Sequence, residues 1–358
     1  MARVFAKCTP AFALTIAVCV APVEARQSAA VNAEAYANAI EDYRNGSALT
    51  ETVMSLQLWG RKDFEAAVDR LIAARNISQL EAAAVFELEV GLGVMSVSPE
   101  GAQIHFELGE KMLRILAPTP AERRLDPERL ETVQRLSSTW FGVAGSGYLW
   151  VTDTRRARPW IHKALQLAPH SSVLKTLKGA AHEIDSTGFD PDLVYTLTQK
   201  ARATTQHAYH LALAQDAFRD AVADDPSDAR AHIRLGRVLF LFNKLVQARE
   251  EVERGQALAK KPADRYLAAL FLGAIKERQR DLAGAREAYT QAFAIAPRSQ
   301  TVTVALAHLD LMLGRPDRAQ AFARAFAEGP RDDQAWWEYR NGGLDHDGLA
   351  ALRARVRK

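Results

Sequence analysis

The chain has 358 residues, 48% of them hydrophobic and 25% charged, and its 46 basic and 43 acidic side chains leave a net charge of +3. It is too apolar and too evenly charged for a disordered chain. The excess charge is too small to call for nucleic acid or an acidic membrane surface.

Residues 1–25 read as a secretory signal peptide. Arg3 and Lys7 give a positive start, Ala11 to Ala21 is an apolar run, and Val23-Glu24-Ala25 puts small residues at a cleavage point after Ala25. The run is too short for a permanent span, which needs about 20 apolar residues. Both cysteines, Cys8 and Cys19, lie inside the segment, so the mature chain carries neither disulfide nor thiol. Cys19 also permits a second reading, as the lipidated residue of a bacterial lipoprotein, although Val18 stands where a small residue is usual. Cleavage leaves 44 basic and 42 acidic residues, a balanced surface.

Residues 26–135 show helical periodicity over Ala33–Tyr43, Asp63–Ala74, Gln79–Val94 and Glu100–Leu116. Ser98-Pro99 and Ala117-Pro118-Thr119-Pro120 mark turns.

Residues 136–333 repeat. Leu272-Gly273 is followed at fixed spacing by Ala285, Tyr289, Ala292 and Pro297. The preceding unit has Leu235-Gly236, Ala248, Val252, Gly255 and Pro262; the following one has Leu306-Ala307, Ala319, Ala323, Phe326 and Pro330. Upstream, Ala214, Phe218, Ala221 and Pro226 keep the second half, and Phe141, Ala144-Gly145, Tyr148, Ala157, Ile161, Ala164 and Pro169 form an earlier copy. Leu and aromatic positions three and four apart share one helical face. Gly and Ala sit where two helices cross closely, and proline ends the second helix. One such pair cannot bury its apolar face, but stacked pairs can.

This pattern resembles the tetratricopeptide repeat, a 34-residue helix–turn–helix unit. The resemblance implies an all-α fold, a right-handed superhelical solenoid of such pairs. Ala102, Phe106 and Gly109 resemble the second-helix spacing, so residues 26–135 read as degenerate repeats of the same array. An irregular insertion near 183–194 interrupts it, with Asp190-Pro191 as a helix start. Residues 334–358 hold an aromatic segment, Trp336-Trp337-Glu338-Tyr339, and a capping helix with Asp347 as its N-cap.

Catalytic and metal motifs fail on inspection. His182-Glu183-Ile184-Asp185-Ser186 lacks the second histidine of a zinc-protease helix. His207 and His210 share a helix face, with Asp216 too far along to complete a site, and two ligands do not make a zinc site. Asp345-His346-Asp347-Gly348 has Gly343 and Ala354 where a calcium loop needs acids. Gly142, Gly145 and Gly147 are not followed by the Gly-Lys-Ser/Thr of a phosphate loop. The sequence therefore points to no cofactor, no metal and no catalytic residue.

Arrays resembling this one bind proteins in a groove lined by their first helices. The carboxylate clamp of one subgroup is missing, because Ile233 and Leu270 stand at its lysine places, and Arg237 and Ala274 at its asparagine places. Arg230, Arg237, Phe240, Leu270, Glu277, Arg278 and His308 would line a mixed groove for an amphipathic segment, or pack on the array's own helices. Trp336 and Trp337 would cover the last repeat or anchor a partner. The expected function is a non-enzymatic protein-interaction scaffold, periplasmic or secreted. The alternatives are an envelope or secretion-complex assembly factor anchored through Cys19, and a hydrolase with a site in 170–226.

Overall fold

The computed structural model describes residues 29–54, 56, 59–119, 122, 126–187, 197–328 and 332–357. The expected signal peptide, Cys19 and the expected helix start at Asp190-Pro191 lie outside them. Among the described residues the regular structure is entirely helical, and no helix is long and apolar enough to cross a membrane.

The chain divides into two compact units. The first holds the described residues up to Pro169 together with those from Leu344 onward. It contains α1 (Ala29–Arg44), α2 (Leu49–Met54), α3 (Arg61–Ala74), α4 (Ile77–Val94), α5 (Pro99–Leu116), α6 (Pro127–Trp150), α7 (Thr154–Leu167) and, far along the chain, α17 (His346–Val356). Helices α4 and α5 pair, as do α6 and α7, and α17 packs on α4 and α6. Tyr36, Tyr43, Phe86, Phe106, Trp140 and Tyr148 are fully buried in this unit. The Trp140 indole donates to the Ala84 carbonyl at 2.7 Å, which satisfies the one polar atom that its burial would otherwise strand.

The second unit runs from His170 to Gly343. It contains α8 (Ser172–Thr187), α9 (Leu197–Asp224), α10 (Ala229–Leu241), α11 (Leu245–Leu258), α12 (Pro262–Arg278), α13 (Leu282–Ile295), α14 (Gln300–Met312), α15 (Pro316–Glu328) and α16 (Gln334–Arg340). Pairs form in order, α8 with α9, α10 with α11, α12 with α13 and α14 with α15, and each second helix touches the next first helix.

Local sequence starts these helices. The side chains of Asn76, Ser98, Asp126, Asp153, Asp228, Asp281 and Ser299 each accept a backbone N–H of the helix they precede. Pro99, Pro127 and Pro262 stand at first helical positions, where no amide hydrogen bond is lost. At α17 the cap is Asp345, which accepts from Gly348, and not the expected Asp347. Asp347 lies inside the first turn, where a carboxylate meets the positive end of the helix.

Two glycines require closeness. A Cβ on Gly236 would lie 2.4 Å from Val252 and 2.9 Å from the Ala248 carbonyl; one on Gly273 would lie 2.3 Å from the Tyr289 ring. Seven residues beyond the small residue of four pairs comes a left-handed turn residue: Thr152 after Gly145, Asn243 after Gly236, Arg280 after Gly273 and Gly314 after Ala307. This φ ends the first helix and sends the chain back as the second. The α8–α9 pair departs from the register. Gly179 faces Phe218, 39 positions on, whereas Gly273 faces Tyr289, 16 positions on. Ser186 occupies the place of the turn residue and is helical, so α8 continues through it.

Candidate functional site

The first helices α10, α12 and α14 carry the residues expected to line a groove. Their environments differ. Leu270 is buried in the core and is not presented to a partner. Arg230 is half-exposed, with its Nε 3.6 Å from Asp264. The Arg237 guanidinium lies between the Phe240 and Phe271 rings, 5.4 and 5.5 Å from their centroids, and Arg278 covers Phe240 at 5.5 Å.

Phe240, Ala274, Glu277, Arg278, Arg280, His308 and Met312 line an open cleft of about 390 Å³. Four of these, Phe240, Glu277, Arg278 and His308, are sequence-predicted groove residues. The left-handed turn places Arg280 at the rim. Glu277 is held in place, accepting the Tyr289 hydroxyl at 2.9 Å and lying 3.4 Å from His308 Nε2. Burial, and then the Glu277 charge, push the Tyr289 hydroxyl well above the ordinary phenol range, so it stays a donor.

Part of α12 is covered by the chain itself. Helix α16 packs on α12. The Trp336 and Tyr339 rings stack, with centroids 5.7 Å apart, and both meet the edge of Phe271. Arg234, 2% exposed, donates to Glu183 at 2.8 Å and to the Tyr339 carbonyl at 2.9 Å, and its guanidinium lies 4.3 Å from the Tyr339 ring centre. The Tyr339 hydroxyl donates to Glu183, and burial first, then that carboxylate, hold it protonated. Trp337 points the other way and is 50% exposed, with Arg340 over its ring. Trp336 is therefore packed and Trp337 exposed. Glu183 and Arg234 were missed at the sequence level, since a carboxylate and a guanidinium on separate helices carry no spacing signal.

The histidines regroup. His207 Nδ1 lies 2.9 Å from the Ser186 carbonyl. Asp216 is largely exposed and 4.0 Å from Arg219. His210 instead meets His182, at 3.5 Å between Nδ1 atoms, and Asp185, at 3.8 Å.

Residues 278–339 match the tetratricopeptide repeat family. No curated protein matches the chain. Among solved structures, PilF of Pseudomonas aeruginosa is similar at 20% identity and a TM-score of 0.43, over 62% of this chain and 90% of that one. PilW, described as a widely conserved type IV pilus biogenesis factor, is similar at 14% identity and a TM-score of 0.43, over 71% and 96%.

Proposed function

We propose that this chain, whose residues 278–339 match the tetratricopeptide repeat family, is a non-enzymatic scaffold that binds a partner protein in the cleft of α10, α12 and α14. The cleft itself carries this reading. It has an apolar floor in Phe240 and Met312 and a basic rim in Arg278 and Arg280, with Glu277 fixed beside them. Such a site suits an amphipathic segment that brings one apolar side chain for the floor and a carboxylate for the rim. Stacked pairs pre-organise it, so little ordering cost is left for binding.

The reading includes export. The signal peptide directs the chain to the periplasm or beyond the cell, and a diacylated Cys19 would make it an envelope-assembly lipoprotein instead. Mass spectrometry of the mature N-terminus separates the two: a start at Arg26 supports the first and a lipid on Cys19 the second.

Site-specific photo-crosslinking in the native host tests the cleft. A probe at Met312 should give a discrete adduct, and one at Val246, exposed on α11, should not. Equal labelling at both, or none at Met312, overturns the proposal.

A further inference from the structure

We propose a divalent transition-metal site, of the zinc class, made by His182 and Asp185 on α8 and His210 on α9. It is separate from the protein-binding cleft and does not depend on it. The ligand atoms of the three side chains all lie within 4.8 Å of one another. Their closest approaches are 3.5 Å, Nδ1 to Nδ1 of the two histidines, and 3.8 Å, His210 Nδ1 to Asp185 Oδ2. A tetrahedral ion bound at about 2.0–2.1 Å has ligand atoms about 3.3 Å apart, so these two pairs lie within about half an ångström of that spacing. The set is two imidazole nitrogens and one carboxylate oxygen, which suits zinc and its neighbours better than magnesium or calcium.

Placement supports the assignment. His182 and Asp185 are three apart, and so share one face of α8. Glu183 between them turns away to Arg234 and Tyr339 and is already committed there. His210 and Asp185 keep 15% and 16% of their side-chain surface exposed, so an ion can reach them. All three ligands lie where this pair leaves the repeat register: α8 runs through the place of the turn, and α9 is 28 residues long. The extra helix brings His210 over the end of α8. In this reading the irregular pair is held together by a metal, where the other pairs rely on a tight turn. Three protein ligands leave one position of a tetrahedron for water or for a donor from a partner.

The test is titration of the full chain with zinc chloride alone, followed by calorimetry, and with cobalt chloride, followed by absorption. One equivalent should bind, and zinc, unlike magnesium, should raise the melting temperature. H182Q/H210Q should abolish binding. D185N, nearly isosteric, should weaken it at least tenfold. H207Q should bind as the parent does, because His207 is engaged with Ser186. Circular dichroism of each metal-free variant checks that it folds. No binding by the parent, or binding that survives H182Q/H210Q in a folded variant, overturns the site.

Discussion

Arg353 on α17 holds Glu89 on α4 through two parallel hydrogen bonds of 2.6 and 2.7 Å, although 264 positions separate them in the chain. Glu89 is almost fully buried and also accepts the Tyr43 hydroxyl at 2.5 Å. A carboxylate in such a place is tolerable only while its partners stay. Helix α17 is thus a structural part of the first unit.

Arg353→Met should accordingly destabilise that unit by about 3 kcal/mol, since it leaves the Glu89 carboxylate buried without its cation. Urea unfolding, followed by the fluorescence of Trp140 and Trp160, measures this. A companion Glu89→Gln in the same background should recover part of the loss.

Gly273→Ala should cost about 1–3 kcal/mol, because the new methyl meets the Tyr289 ring. Tyr289→Leu in the same chain should soften the penalty. Additive losses in the double variant would show that the two residues do not press on each other.

Thr152→Gly should raise stability by about 1 kcal/mol. Thr152 is a β-branched residue held at φ 59°, where an L side chain crowds the backbone. The gain is the relief of that strain less the larger entropy of a free glycine. Thermal melting gives the sign directly.

His232 should make the second unit sensitive to pH. Its Nδ1 lies 2.6 Å from Glu251 and its Nε2 3.0 Å from the Pro226 carbonyl, two acceptors that suit the doubly protonated ring. The Glu251 bond chiefly, and the carbonyl after it, raise the imidazole pKa above its ordinary value, against the opposing effect of burial. The contribution is therefore complete below about pH 6.5, where the unfolded ring is protonated too. It declines as pH rises through the elevated folded value, because the folded state holds a proton that the unfolded chain has released. His232→Gln should flatten this part of the stability curve; an unchanged curve would refute the assignment.

Tyr339→Ala should undock α16. It removes the ring on which Trp336 and Arg234 rest and strips Glu183 of a donor. Hydrogen exchange should accelerate in residues 334–340 while α13 and α14 keep their protection.

The helices and their small-residue crossings were legible in the sequence, because Gly236, Gly273, Ala248 and Ala285 recur at a spacing that the backbone geometry enforces. The cleft was partly legible: Phe240, Glu277, Arg278 and His308 follow from first-helix register. Leu270 did not follow: like Ile233 at the corresponding place in the preceding pair, it sinks into the core. The His182, Asp185 and His210 cluster was hidden, since two of its members lie on α8 and the third enters only through an elongated α9. The pairing of Glu89 with Arg353 was equally hidden, because no local pattern joins positions so far apart.

The first unit is split in sequence, with residues 170–343 inserted between its main body and α17. A ribosome therefore releases every helix of the second unit before the residues that seal the first. The inner segment can mature while the outer one still waits, with Glu89 lacking its guanidinium and the α17-facing side of α4 and α6 uncovered. The earlier-made half is therefore the one that most needs protection from premature association.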